Sequence, residues 1–193
     1  EAKAVQLESI ALRRASDDLA SREGLPFTLN NLAVAHTYEG EFERAEALVR
    51  EALVVEEELH GTATNMYGNL LRGLASVLDE LGRKPEADSV VRESLRVLAE
   101  RSGEDHPDFL RSANLLASIR YGLGDMPGAV EAARRVTGSA TLHESDPAMG
   151  AALQLLGLAL DSLGQYAAGD SALRRSLELR RRYLPPDHWA IAS

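Results

Sequence analysis

Residues Thr28–Leu53 read T-L-N-N-L-A-V-A-H-T-Y-E-G-E-F-E-R-A-E-A-L-V-R-E-A-L. The pattern is helix, glycine turn, helix. Leu29, Leu32, Ala33 and His36 recur at i, i+3, i+4 and i+7, one face of a first helix. Gly40 follows, the residue best able to take the left-handed conformation that ends a helix. Ala45, Leu48, Val49, Ala52 and Leu53 then form the apolar stripe of a second helix. Two short helices cannot bury both stripes alone, so the unit requires neighbours.

The chain supplies them. Aligned on Gly40, the pattern returns at Gly82, Gly124 and Gly164, with spacings of 42, 42 and 40 residues. Eight residues before each glycine stands a leucine: Leu32, Leu74, Leu116 and Leu156. A small residue follows each leucine: Ala33, Ala75, Ala117 and Gly157. Five residues after each glycine the position is small again: Ala45, Ala87, Ala129 and Gly169. A period in this range signals a solenoid or array. The small columns have a steric reason, since paired helices approach closely only where no large side chain intervenes.

This register resembles the tetratricopeptide repeat. The usual repeat there is about 34 residues, and a 42-residue period is similar to the longer kinesin-light-chain variety. Asn30-Asn31-Leu32-Ala33 and Gly40-Glu41-Phe42-Glu43-Arg44-Ala45-Glu46 match that variety; Asp105-His106-Pro107-Asp108 and Leu184-Pro185-Pro186-Asp187-His188 resemble its inter-repeat linker. Met126-Pro127-Gly128 departs from the family's turn in the third copy. The resemblance implies an all-α, right-handed solenoid of stacked antiparallel hairpins. Such repeats also occur in tails of modular bacterial proteins, serine/threonine kinases among them.

Length and composition fit that expectation. The 193 residues form about four and a half repeats of one solenoid domain. A half repeat covers 1–23, complete repeats 26–60, 63–102, 107–142 and 147–184, and a further one starts at 187–193. The chain opens and closes within repeats, and is expected to be a fragment of a longer protein. Its net charge of −9 argues against nucleic acid, which wants a basic face. The lack of cysteine excludes a disulfide framework and thiolate metal sites and fits a reducing, cytoplasmic setting. No apolar run approaches the roughly 20 residues that span a membrane.

Local signals place the helix ends. Thr64 and Asp146 are expected N-caps, and Pro26, Pro107 and Pro147 suit first turns. Val136–Thr141 combines β-branched residues with Gly138, so the second helix of the third repeat is expected to be short, and that repeat to be the weak point.

No catalytic motif is present, and the fragment itself is not expected to be an enzyme. His36 lies on a packing stripe, while His60, His106, His143 and His188 lie at or near linkers without ligand spacing; no metal and no cofactor are assigned. Gly122–Gly128 follows a helix rather than a strand and reads as a turn. Arg180–Arg182 complements the end of a helix.

In the family the first helices line the concave face. Off the packing stripe they carry Asn30, Asn31, Val34 and Tyr38; Asn69, Arg72, Ser76 and Glu80; Arg111, Asn114 and Ser118; Gln154 and Asp161. An amide both donates and accepts, so it pairs with both backbone groups of an extended peptide. The expected groove is therefore Asn30, Asn31, Asn69, Arg72, Ser76, Arg111, Asn114, Ser118 and Gln154, holding a peptide or protein segment. The competing readings are a spacer that self-associates through open solenoid ends, and a regulatory or substrate-recruiting tail of a bacterial kinase.

Overall fold

A computed structural model describes residues 22–183. Among them are eight helices and no strand: α1 (Leu25–Tyr38), α2 (Phe42–His60), α3 (Asn65–Glu80), α4 (Lys84–Ser102), α5 (Pro107–Gly122), α6 (Met126–Thr137), α7 (Pro147–Ser162) and α8 (Tyr166–Tyr183). Ten helices follow from the repeat register; the two at the ends, like the further repeat at 187–193, lie outside the described residues. The chain divides into two compact units, Glu1–Ser102 and Gly103–Ser193. Each contains two of the described hairpins.

The four hairpin turns are alike. Gly40, Gly82, Gly124 and Gly164 take φ of 77°, 75°, 81° and 74°. The amide after each glycine donates to a carbonyl five residues earlier: Glu41 to His36, Arg83 to Leu78, Asp125 to Arg120 and Gln165 to Leu160, all at 2.9 Å. This is the bond that satisfies an orphan carbonyl at a helix end. The third turn is therefore as well formed as the others, despite Met126-Pro127-Gly128. Asp125 caps α6 by accepting from the Gly128 amide at 3.0 Å. Gly128 leaves the space that the Arg120 side chain fills, whose Cδ stands 2.7 Å from where a Cβ would be.

The small columns lie where the helices of each hairpin cross. Ala33, Ala45, Ala75, Ala87, Ala117 and Ala129 are all buried. In the fourth hairpin both positions are glycine, and a Cβ at either would stand 3.0 Å from the other's carbonyl oxygen.

In the first unit, Leu25, Leu29 and Leu32 of α1 pack with Ala52 and Val55 of α2 and Leu70 of α3. Thr64 caps α3, accepting from the Tyr67 amide at 2.9 Å. Its hydroxyl also donates to the buried carboxylate of Glu56 at 2.7 Å, which ties the link to the preceding helix. On the surface, Glu46 accepts from Arg50 and Arg83 (both 2.8 Å), and Glu86 accepts from Arg83 at 2.6 Å. Burial opposes ionisation of Glu46, but the hydrogen bonds from Arg50 and Arg83 outweigh it and hold its carboxyl below the usual value of 4.5.

In the second unit, His106 caps α5 through Nδ1, which accepts from the Asp108 amide, and Asp146 caps α7. α6 has 12 residues, against 19 in α2, 19 in α4 and 18 in α8. It stops at Gly138, as the sequence predicts. Leu142, in the link that follows, is buried in place of the missing turns.

Candidate functional site

In the first unit, α1 and α3 lie side by side and enclose a cavity of about 360 Å³. α1 supplies Asn30, Ala33, Val34, Thr37 and Tyr38; α3 supplies Arg72, Gly73, Ser76 and Val77; Val49 of α2 closes the floor. Three of the expected groove residues, Asn30, Arg72 and Ser76, line it. Asn31 and Asn69 are half-buried on the same two helices and are not among its lining. Asn69 accepts from Arg72 Nη2 at 3.3 Å.

The two walls differ in chemistry. Val34 and Tyr38 are exposed apolar groups, Tyr38 at 89%. Arg72 and Ser76 make the facing wall polar. Between them Gly73 leaves room for the Asn30 amide, whose Oδ1 would stand 3.2 Å from a Cβ there. The sequence carries the signal for Gly73: nine residues before the turn glycine, the other copies have Asn31, Leu115 and Leu155.

In the second unit the expected residues have other partners. Arg111 is exposed, and donates to Asp146 at 3.1 Å and Asp108 at 3.4 Å, so its charge is answered within the chain. Asp146 serves two purposes, since its other oxygen caps α7 by accepting from Ala148 N at 2.9 Å. Gln154 Oε1 accepts from Arg180 of α8. Asn114 and Ser118 are half-buried on α5, and the Asn114 Oδ1 is buried without a hydrogen bond. A second cavity of about 390 Å³ lies where α6 ends early, lined by Leu142, His143 and Glu144 of the link together with Met149, Arg175 and Leu179.

His36 is buried, as its place on the stripe predicts, and its Nδ1 is bonded to Glu41. With Glu39 it forms a group whose ligand atoms all lie within 4.8 Å of one another. No helix among the described residues is long and apolar enough to cross a membrane.

Comparison with known proteins agrees with this architecture. Tetratricopeptide-repeat family models match residues 25–100 and 150–190, together more than half of the chain. No curated protein sequence matches it significantly. The crystal structure of BtubC (BKLC) from P. vanneervenii aligns with a TM-score of 0.81 at 17% identity, covering 97% of this chain and 76% of that one. A kinesin light chain with nearly identical TPR-like repeats from P. anserina, itself described as putative, aligns with a TM-score of 0.71 at 20% identity, over 85% of this chain and 79% of that one. MamA aligns at 0.60 and 17% identity, over 81% and 79%. At these identities the likeness is one of fold. By its repeat register, its four matching turns and its family matches, the chain belongs to the tetratricopeptide-repeat family, with an all-α solenoid fold like that of the kinesin light chain repeats it aligns with.

Proposed function

We propose that the chain is a protein-binding module that holds an extended segment of a partner against its first helices, with the α1–α3 cavity as the principal contact. The observation that carries this reading is the cavity itself. It opens on the side chains that face away from the packing stripe, and its walls pair an apolar edge, Val34 and Tyr38, with a polar one, Arg72 and Ser76. Asn30 offers an amide to backbone N–H or C=O. Arg72 favours a segment that is neutral or acidic at its centre. Arg111 adds little to that preference, because Asp108 and Asp146 already answer its charge. The net charge of −9 disfavours nucleic acid as the partner.

The test is capture of a partner from lysate, followed by its affinity for the parent and for the Asn30→Ala, Arg72→Ala, Ser76→Ala triple variant, with folding checked by circular dichroism. Each side-chain hydrogen bond contributes about 0.5–1.5 kcal/mol. Single substitutions should therefore be mild, and the triple variant should lose at least about tenfold. Undiminished binding by a folded triple variant refutes the groove reading. A light-scattering mass above the monomer, with no partner captured, supports the self-associating spacer instead.

A further inference from the structure

The four repeats provide a comparison within one chain. Four residues before the turn glycine stand His36, Leu78, Arg120 and Leu160; one residue before it stand Glu39, Leu81, Leu123 and Leu163. The first copy thus departs from leucine at both positions, and replaces it with two metal-ligating side chains. One residue after the glycine stand Glu41, Arg83, Asp125 and Gln165. Only the first copy combines a histidine with two carboxylates.

The turn gathers these three groups. The amides of Glu39 and Glu41 both donate to the His36 carbonyl, at 3.1 and 2.9 Å, so the chain folds back around His36. Gly40, at φ 77°, makes that reversal. The imidazole, the Glu39 carboxylate and the Glu41 carboxylate each present a ligand atom within 4.8 Å of the others. The His36 side chain is 9% exposed and fixed by packing, whereas Glu41 is 37% exposed and Glu39 is at the surface. The site is therefore anchored on one buried ligand and reaches solvent through its two carboxylates.

We propose that His36, Glu39 and Glu41 bind a divalent transition-metal ion of the zinc type, which clamps the first hairpin turn. One imidazole nitrogen and two carboxylate oxygens, with solvent in a fourth position, are a set that zinc accepts. At bonds of about 2.0–2.2 Å the ion enters between His36 Nδ1 and Glu41, replacing their hydrogen bond as the two part slightly, while Glu39 draws in by side-chain rotation. The location favours a cation, since the C-terminal end of α1 carries the negative end of the helix dipole. Arg44 donates to Glu41 Oε1 at 2.9 Å. That exposed guanidinium is one cation the metal has to compete with. In the third copy the equivalent pair is Arg120 and Asp125, 3.8 Å apart, where a resident cation takes the same place across the turn. The clamp bears on the groove because Thr37 and Tyr38, between the ligands, line the α1–α3 cavity.

The experiment is calorimetric titration of ZnCl2 into the whole chain and into two variants, Glu39→Leu and His36→Leu. Both introduce the residue that sister repeats already carry, so both should fold. The parent should take up one equivalent at a saturable site and melt at a higher temperature when loaded. Each variant should bind at least about tenfold more weakly, and Glu39→Leu should melt like the parent when zinc is withheld. Absence of a one-equivalent site in the parent overturns the proposal. So does the same zinc affinity in the parent and both variants, which would assign the ion to other histidines.

Discussion

Two glycines of α7, two turns apart, should respond differently to the same substitution. Gly150 and Gly157 are both buried helical positions. Replacing glycine by alanine in a helix gains about 1 kcal/mol of propensity at either. The surroundings differ. Among the described residues a Cβ at Gly150 would meet nothing nearer than Arg180 Cγ, at 3.8 Å, an ordinary contact. A Cβ at Gly157 would stand 2.6 Å from Leu173 Cγ and 3.0 Å from the Gly169 carbonyl oxygen. One of these is a branching carbon and the other is backbone, so relief requires α7 and α8 to separate. Overpacking of this kind costs about 1–3 kcal/mol. Gly150→Ala should therefore stabilise, and Gly157→Ala should be neutral to destabilising, with a gap between them of about 1–3 kcal/mol. Urea denaturation followed by circular dichroism at the helix band measures that gap, and comparing two variants of one helix cancels the denatured-state contribution. If Gly157→Ala stabilises as much as Gly150→Ala, the close approach of α7 and α8 is not real, and the small columns lose their steric explanation.

The Glu46 cluster makes a pH-dependent contribution. Its folded carboxyl lies below the usual 4.5 despite burial, because Arg50 and Arg83 bond the ionised form. The stabilisation is thus complete above the unfolded value and disappears as the pH falls through the folded one. The stability difference between the parent and Glu46→Gln should be largest at neutral pH and shrink on acidification below about 4.5; a difference that grows would refute it. In the second unit, amide exchange should be fastest across residues 138–146, where α6 has ended, and residues 126–128 should be as protected as the first turns of the other second helices. Fast exchange at 126–128 would mean that the Asp125 cap does not hold.

The architecture was legible because its constraints are steric and recur. A left-handed turn needs glycine, and a helix crossing needs a small residue; each repeats in every copy, so Gly40, Gly82, Gly124 and Gly164 stand out without any structure. The short α6 was legible for a similar reason, since Gly138 and its β-branched neighbours disfavour helix locally. Met126-Pro127-Gly128 departs from the family's turn in sequence but forms a regular turn, because Asp125 caps α6 and the missing side chain at Gly128 makes room for Arg120 of the helix before. A second glycine column, Gly61 and Gly103 with φ of 78° and 87°, closes two of the links and carries the same spacing as the turns. The site was legible only in part. That Arg111 is claimed by Asp146, 35 residues on, or Gln154 by Arg180, depends on the rotamers of long side chains across helices, which periodicity does not encode.

Gly73 separates fold from function more sharply than any groove side chain. It lies inside α3, partly exposed, where alanine would gain about 1 kcal/mol of helix propensity. Among the described residues a Cβ there would meet Asn30 Oδ1 at 3.2 Å and Val49 Cγ1 at 4.0 Å. The nearer atom ends a side chain that can turn aside, so the fold gives way by a few tenths of an ångström at small cost. The displaced group, however, is an amide that lines the α1–α3 cavity, and Gly73, where the methyl is added, lines it too. Gly73→Ala should therefore raise the urea midpoint while weakening a captured partner. A purely structural role for this surface predicts the first change without the second. If Gly73→Ala is stabilised and binds the partner as tightly as the parent, the segment does not lie between α1 and α3. If it is destabilised, the Asn30 side chain is held more firmly than its half-buried position indicates, and the cavity is then a rigid part of the core rather than an open receptor.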